Sequence, residues 1–325
     1  MKPKVYVTRL IPETALRKLA ESCDYRIWNG ELAVSRDVLM REVPPVDALL
    51  LLLTDKVDAP VMDAAPKLRV ISNMAVGFDN VDVHEATKRK IMVCNTPGVL
   101  TETTADFAFA LLLAAARRVG EGDRVVRAGK WKTWGPMILL GQDVHHATLG
   151  VIGLGRIGAE VAKRGRGFDM RVIYYDTARR PDVEKKLGIE FRDLKTLLSE
   201  SDFVTVHCPL LPETRHLIGE EQFKLMKKTA ILVNSARGPI VDPKALYDAL
   251  HNHQIAYAAL DVTEPEPIPL DDPLLTLDNI VIAPHIASAS VATRTKMAMM
   301  AVDNLLAGLR GERPPNIVNP EVLAK

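Results

Sequence analysis

The chain has 325 residues, with 42 Lys plus Arg against 41 Asp plus Glu, a net charge of +1, and 47% hydrophobic and 26% charged residues. At roughly 100 to 200 residues per domain, this length accommodates two domains with separate cores. A balance this close to neutral supplies no overall field for nucleic acid or an anionic membrane surface, so neither is expected as a partner.

The amino terminus, MKPKVYVTRL, enters a strand pattern without the long apolar stretch of a signal peptide. Apolar runs of strand length then recur at 5–8, 48–53, 70–73, 92–95, 150–153, 172–175, 203–206, 231–234 and 280–283, with helical patterns between them. This alternation predicts an α/β protein whose parallel sheets are covered on both faces, with sites at the carboxyl ends of the strands. The segment TETTADFAFALLLAAARR (101–118) predicts a buried helix, either inside one domain or crossing between two. Its most apolar part, Ala105 to Ala116, is shorter than the roughly 20 residues a bilayer requires. The stretch EPEPIPLDDP (264–273) predicts a stiff loop, because its prolines remove amide donors and fix φ. Cys23, Cys94 and Cys208 lie far apart and form no metal-ligand spacing, which predicts a reducing, cytoplasmic setting and no metal.

In TLGVIGLGRIGAEVAKR a strand runs into Gly153, Gly155 and Gly158, and a helix follows at once. The first glycine suits a tight turn, the second a close approach of pyrophosphate, and the third tight helix–strand packing. The next strand ends at Asp176, eighteen residues after Gly158, close to the spacing of a ribose-binding acid. A dinucleotide is therefore expected. Asp176 favours NAD(H), whereas Arg179 and Arg180 leave NADP(H) open through a 2′-phosphate.

Three later segments carry acid–base potential: VNSARGPIVD with Arg237, ALDVTEPEP with Asp261 and Glu266, and APHIASAS with His285. Arg237 can grip a carboxylate and polarise a neighbouring carbonyl. His285 can supply a proton as hydride reaches the carbon, and Glu266 can orient the imidazole. Together they suit reduction of a 2-oxo acid. The adjacent pair His145 and His146 makes a poor metal site, and His251 and His253 read as solvated.

These residues and the segments NMAVGFDNVDV (73–83), NTPGVLTETTADFAFALLL (95–113), WKTWGPMILLG (131–141), HCPLLPETRHLI (207–218), VNSARG (233–238), LDVTEPEP (260–267) and PHIASAS (284–290) resemble the D-isomer-specific 2-hydroxyacid dehydrogenase family, in particular its glyoxylate and hydroxypyruvate reductase branch. The resemblance implies two doubly wound, Rossmann- or flavodoxin-like parallel-sheet domains with a cleft between them: a substrate domain of residues 1–100 plus 285–325, and an NAD(P)-binding domain of residues 101–284. It implies a homodimer and a catalytic trio of Arg237, Glu266 and His285. Val76 and Gly77 would bind the substrate carboxylate through backbone amides. Leu53 and Trp134 would shape the pocket, with Trp134 able to reach a neighbouring subunit. Arg156 and Ile157 would serve the pyrophosphate turn, Thr104 and Asp261 the nicotinamide side, and Cys208 and Pro209 the adenosine wall. Two departures stand out: Ala287 where the histidine motif often has glycine, and Asp176 where NADP-preferring members often lack an acid. Rival expectations are a dehydrogenase for another D-2-hydroxy acid, including larger sugar-derived keto acids, and an NAD-sensing corepressor of low turnover. Phosphite oxidation would call for a basic residue where Val76 stands.

Overall fold

Short apolar runs such as Ala48–Leu51 and Ile231–Asn234 are buried along their whole length, as strands covered on both faces must be. The computed structural model describes residues 1–324, which form two units, one of residues 1–100 with 289–324 and one of Thr101–Ser288.

In the first unit, β1 (Lys4–Val7), β2 (Asp24–Ile27), β3 (Ala48–Leu51), β4 (Val70–Asn73) and β5 (Met92–Cys94) make a parallel sheet in the order β2-β1-β3-β4-β5. The C-terminal helix Val291–Leu309 returns to this sheet, where the Ser72 hydroxyl donates to Ala301 O at 2.7 Å. Buried Asn319 then clips the chain end to β5: its Oδ1 accepts from Val93 N at 2.8 Å and its Nδ2 donates to Ile91 O at 2.9 Å.

The second unit holds β6 (Thr148–Ile152), β7 (Arg171–Tyr175), β8 (Glu190–Phe191), β9 (Phe203–Val206), β10 (Ile231–Asn234), β11 (Tyr257–Leu260) and β12 (Ile280–Ile282), parallel and ordered β12-β11-β10-β9-β6-β7-β8. The order reverses between β6 and β9, and an open α/β sheet binds ligands at such a switch point, beyond the carboxyl ends of its strands. Register brings those ends level: Ile152 pairs with Tyr175 and Val206, Val206 with Asn234, Asn234 with Leu260, and Leu260 with Ile282. The residues that follow each strand therefore gather along one edge.

The fold class agrees with the sequence reading, with differences in detail. Strands β2 and β8 are short edge strands with exposed alternate residues, so no apolar run announces them. The helix from Thr101 stops at Ala116; Arg118 takes a left-handed φ of 52° and a second helix, Val119–Arg127, starts after it. The second passage between units falls at Ser288/Ala289, not at the expected 284/285. Residues 285–287 belong with the second unit because their three amides all donate to Asp261, to its carbonyl and both carboxylate oxygens.

Candidate active site

At the end of β6 each glycine of the turn has a separate reason. Gly153 has φ +91°, and a Cβ there would lie 2.5 Å from the amide nitrogen of Cys208. Gly155 caps the helix Arg156–Gly167 and faces open space, with no atom within 4 Å of an added Cβ. A Cβ on Gly158 would come within 2.0 Å of Gly153 O, so helix and strand pack as closely as backbones allow. The first amides of the helix, at Arg156 and Ile157, have no carbonyl one turn back to bond. An open glycine beside such amides is a cradle that fits a pyrophosphate.

Asp176, at the end of β7, is fixed by two amides: Leu154 N donates to Oδ2 and Thr177 N to Oδ1, each at 2.7 Å. The two neighbouring arginines differ. Arg179 forms a bidentate pair with Glu184 at 2.8 Å per bond, and this arginine and the Tyr174 hydroxyl hold the Glu184 carboxyl down at about 2. Arg180 instead donates to Leu154 O at 3.4 Å, on the glycine turn itself.

Beyond β9, His207 N donates to Ile152 O at 2.7 Å, which seats Cys208 against the glycine turn, with Pro209 following it in the chain. Burial pushes the Cys208 thiol up to about 11, so it carries no nucleophilic thiolate at neutral pH. The His207 ring bonds Thr205 Oγ1 through Nε2 at 2.8 Å, and burial holds its pKa down at about 3, against an ordinary 6.5. Below pH 6.5 the unfolded chain takes up a proton that the folded chain refuses, so this contribution to stability is full above 6.5 and is lost as pH falls toward 3. At about 1.4 kcal/mol per unit the loss reaches a few kcal/mol. His207→Asn is therefore expected to flatten the fall in melting temperature between pH 7 and pH 4; parallel falls in the two proteins would reject the assignment.

At the edge shared by β10, β11 and β12 the sequence-predicted trio comes from three loops. His285 Nδ1 lies 2.5 Å from Glu266 Oε1, and since a carboxylate accepts, Nδ1 carries the hydrogen and Nε2 is the nitrogen left to face a ligand. His285 has a left-handed φ of 55°, unusual for a residue with a side chain. Asp261 holds it there: its carbonyl accepts from His285 N at 2.9 Å, Oδ1 from Ile286 N at 2.7 Å and Oδ2 from Ala287 N at 2.8 Å. Asp261 is 1% exposed, and this burial raises its pKa against the two amides that oppose it. Expected on the nicotinamide side, Asp261 has both carboxylate oxygens engaged by the His285 turn. Arg237 follows β10, where buried Asn234 shapes its loop by donating to Arg237 O at 2.9 Å and accepting from Ala236 N at 3.0 Å. The glutamate loop contains two cis peptides, Glu264–Pro265 and Glu266–Pro267. Thr104 is buried on the helix Thr101–Ala116, whereas Trp134 is 77% exposed within the chain and lines no buried wall of its own unit.

In the first unit, Val76 and Gly77 follow β4. Ala75 O accepts from Thr96 N and Val76 O from Asn95 Nδ2, both at 2.8 Å. In a trans peptide the amide points opposite to the carbonyl, so the N–H groups of Val76 and Gly77 turn away from these partners. Asn73 bonds Gly77 O at 2.9 Å and Asn80 at 3.0 Å; Asn80 in turn bonds Leu52 O at 3.1 Å, fixing the loop that carries half-buried Leu53.

The family model for the NAD binding domain of D-isomer specific 2-hydroxyacid dehydrogenases matches residues 109–287. The chain belongs to that family. The glyoxylate reductase of Korarchaeum cryptofilum is 60% identical over 99% of this chain and 98% of its own length, and that of Pyrococcus horikoshii is 52% identical over 99% and 98%. Among solved structures, a Thermus thermophilus protein superposes with a TM-score of 0.92 at 47% identity, covering 97% of this chain and 99% of that one. An NADPH-dependent glyoxylate/hydroxypyruvate reductase from Sinorhizobium meliloti, in complex with NADP and malonate, gives 0.86 at 33%, covering 98% and 97%. This D-2-hydroxyacid dehydrogenase therefore carries an NAD binding unit whose glycine turn and His285–Glu266 pair follow strands of one sheet.

Proposed function

We propose that the protein reduces glyoxylate and hydroxypyruvate, to glycolate and D-glycerate. The observation that carries this reading is the His285–Glu266 pair at 2.5 Å, held on the strand edge that also carries the glycine turn. A dinucleotide held by the glycine turn and Asp176 would supply hydride for the C2 carbonyl carbon. His285 Nε2 gives its proton to the carbonyl oxygen, which becomes the hydroxyl of the product, while Glu266 orients the ring through Nδ1. Arg237 holds the substrate carboxylate and polarises the carbonyl beside it. For the amides of Val76 and Gly77 the proposed role is the binding of a substrate carboxylate. Full-length relatives that are glyoxylate reductases support the choice of a small 2-oxo acid.

NADH is the preferred cofactor in this reading, because Asp176 stands where a ribose would bond and Arg179 is already paired with Glu184. Thr104, Cys208 and Pro209 would line the dinucleotide and Leu53 the substrate, with Trp134 reaching toward the substrate of a neighbouring subunit. The protein acts as a cytoplasmic homodimer: Val119, Val126, Trp131, Trp134, Met137 and Leu140 expose apolar side chains along one stretch of chain that a second copy would cover. Among the described residues no helix is long and apolar enough to cross a membrane.

Initial rates for glyoxylate, hydroxypyruvate and pyruvate with NADH and NADPH test this reading. Efficient turnover of the first two is expected; turnover confined to other keto acids would overturn the substrate. Asp176→Ser is expected to lower kcat/KM with NADH by about 10 to 100-fold, the worth of one or two charge-assisted bonds, and with NADPH by much less. An unchanged ratio between the cofactors would remove Asp176 from the ribose.

A further inference from the structure

We infer that His216 is a positioning residue for this reaction, tying together the two loops that deliver Arg237 and Glu266. The inference rests on the proposed roles of those two residues. His216 follows β9 at a distance in sequence from both loops, yet it touches each. Its backbone N–H donates to Pro239 O at 2.8 Å, two residues beyond Arg237. Its ring Nε2 meets Glu264 Oε2 at 2.8 Å, two residues before Glu266. The bond is continued on either side: Ile218 N donates to Ile240 O at 3.1 Å, Asp242 N returns to Ile218 O at 2.9 Å, and Arg215 forms an ion pair with Glu264.

The two loops also press directly on one another. A Cβ on Gly238 would lie 1.9 Å from Thr263 O and 2.9 Å from Glu264 N, so the residue after Arg237 is packed against the backbone that leads to Glu266. A shift of residues 263–264 would therefore move both groups. What keeps them in place from outside is the pair of side chains on Glu264, Arg215 and His216, and of these His216 alone also holds the Arg237 loop through its backbone. His216 has a left-handed φ of 51°, a conformation that costs a non-glycine residue energy and persists where surrounding bonds enforce it. Pro265 and Pro267 make the path from Glu264 to Glu266 stiff, so a displacement at one carboxylate reaches the other.

The charged groups around His216 are Glu264, Arg215 and Asp242, the last 3.6 Å from Nδ1. Those around His285 are Glu266 and buried Asp261. Loosening Glu264 lets Glu266 drift from His285 and deprives the protonated ring of its partner, so proton donation fails at a lower pH.

The test is the pH profile of kcat for glyoxylate reduction in wild type, His216→Ala and His216→Gln, with NADH dissociation constants from fluorescence. His216→Ala is expected to lower kcat about tenfold and to move the high-pH limb toward acid, with NADH affinity unchanged. His216→Gln, which keeps a donor to Glu264, is expected to restore both, and Glu264→Gln to reproduce the alanine phenotype. A limb that stays in place in His216→Ala, whether activity is retained or reduced in proportion to folded protein, would overturn the inference. Failure of the wild type to reduce any 2-oxo acid would instead overturn the proposed function, so the two failures are distinguishable.

Discussion

Replacing His285 by alanine is expected to lower kcat for glyoxylate reduction by about 10²–10⁴-fold, the range supplied by a positioned general acid. NADH binding is expected to persist, because the glycine turn after β6 and Asp176 after β7 are built without His285. The loss should fall on kcat and kcat/KM together, as it does when an interaction made in the transition state is removed. The geometry accounts for the size of the effect. Nδ1 is engaged by Glu266 at 2.5 Å, so Nε2 has one orientation, and the ring enters the reaction already aimed. A variant that keeps most of its activity would take the proton donor's role away from His285. A variant that loses NADH binding as well would show that the residue serves the fold.

Much of this site is legible in the sequence because its parts are local. Gly153, Gly155 and Gly158 fall within six residues, and the reasons for each are backbone reasons that spacing reveals. Buried parallel strands such as β9 and β10 announce themselves as unbroken apolar runs, whereas β2 and β8, at sheet edges, are half exposed and read as polar segments. β11 is visible as an apolar run before the proline-rich loop, although only pairing with β10 and β12 shows it to be a strand. Residue type suggests Glu266 as the partner of His285; what holds the pair does not show. Asn234 looks like the last residue of a strand, and its two bonds to the Arg237 loop depend on a turn that composition does not specify. His216 sits in a polar loop with no ligand spacing, and its bond to Glu264 spans 48 residues. Asp261 is the same case: an acid after a strand invites a ligand, and its bonds within the chain, which reach 25 and 26 residues along to amides that any residue could offer, leave no trace in the sequence.

Asp261→Asn therefore probes the part of the site that the sequence conceals. An aspartate accepts with both oxygens, and here each takes one amide of the turn after His285. An asparagine keeps one acceptor and places an NH₂ group against the other amide, leaving two donors face to face in a buried position. An unsatisfied buried donor costs about 1–3 kcal/mol, which for a unit of this size lowers the melting temperature by roughly 3–10 °C. The turn can relieve the cost by relaxing His285 from its φ of 55°, and that movement carries the ring away from Glu266 and from the substrate. Since a misplacement of about 1 Å costs on the order of 10²-fold in rate, kcat is expected to fall by about that factor at temperatures where the variant is fully folded. NADH affinity measured in the same samples separates the two readings of Asp261. If the residue holds the turn, affinity survives while kcat collapses. If its main contact is the nicotinamide, affinity falls first and the melting temperature stays near that of the wild type.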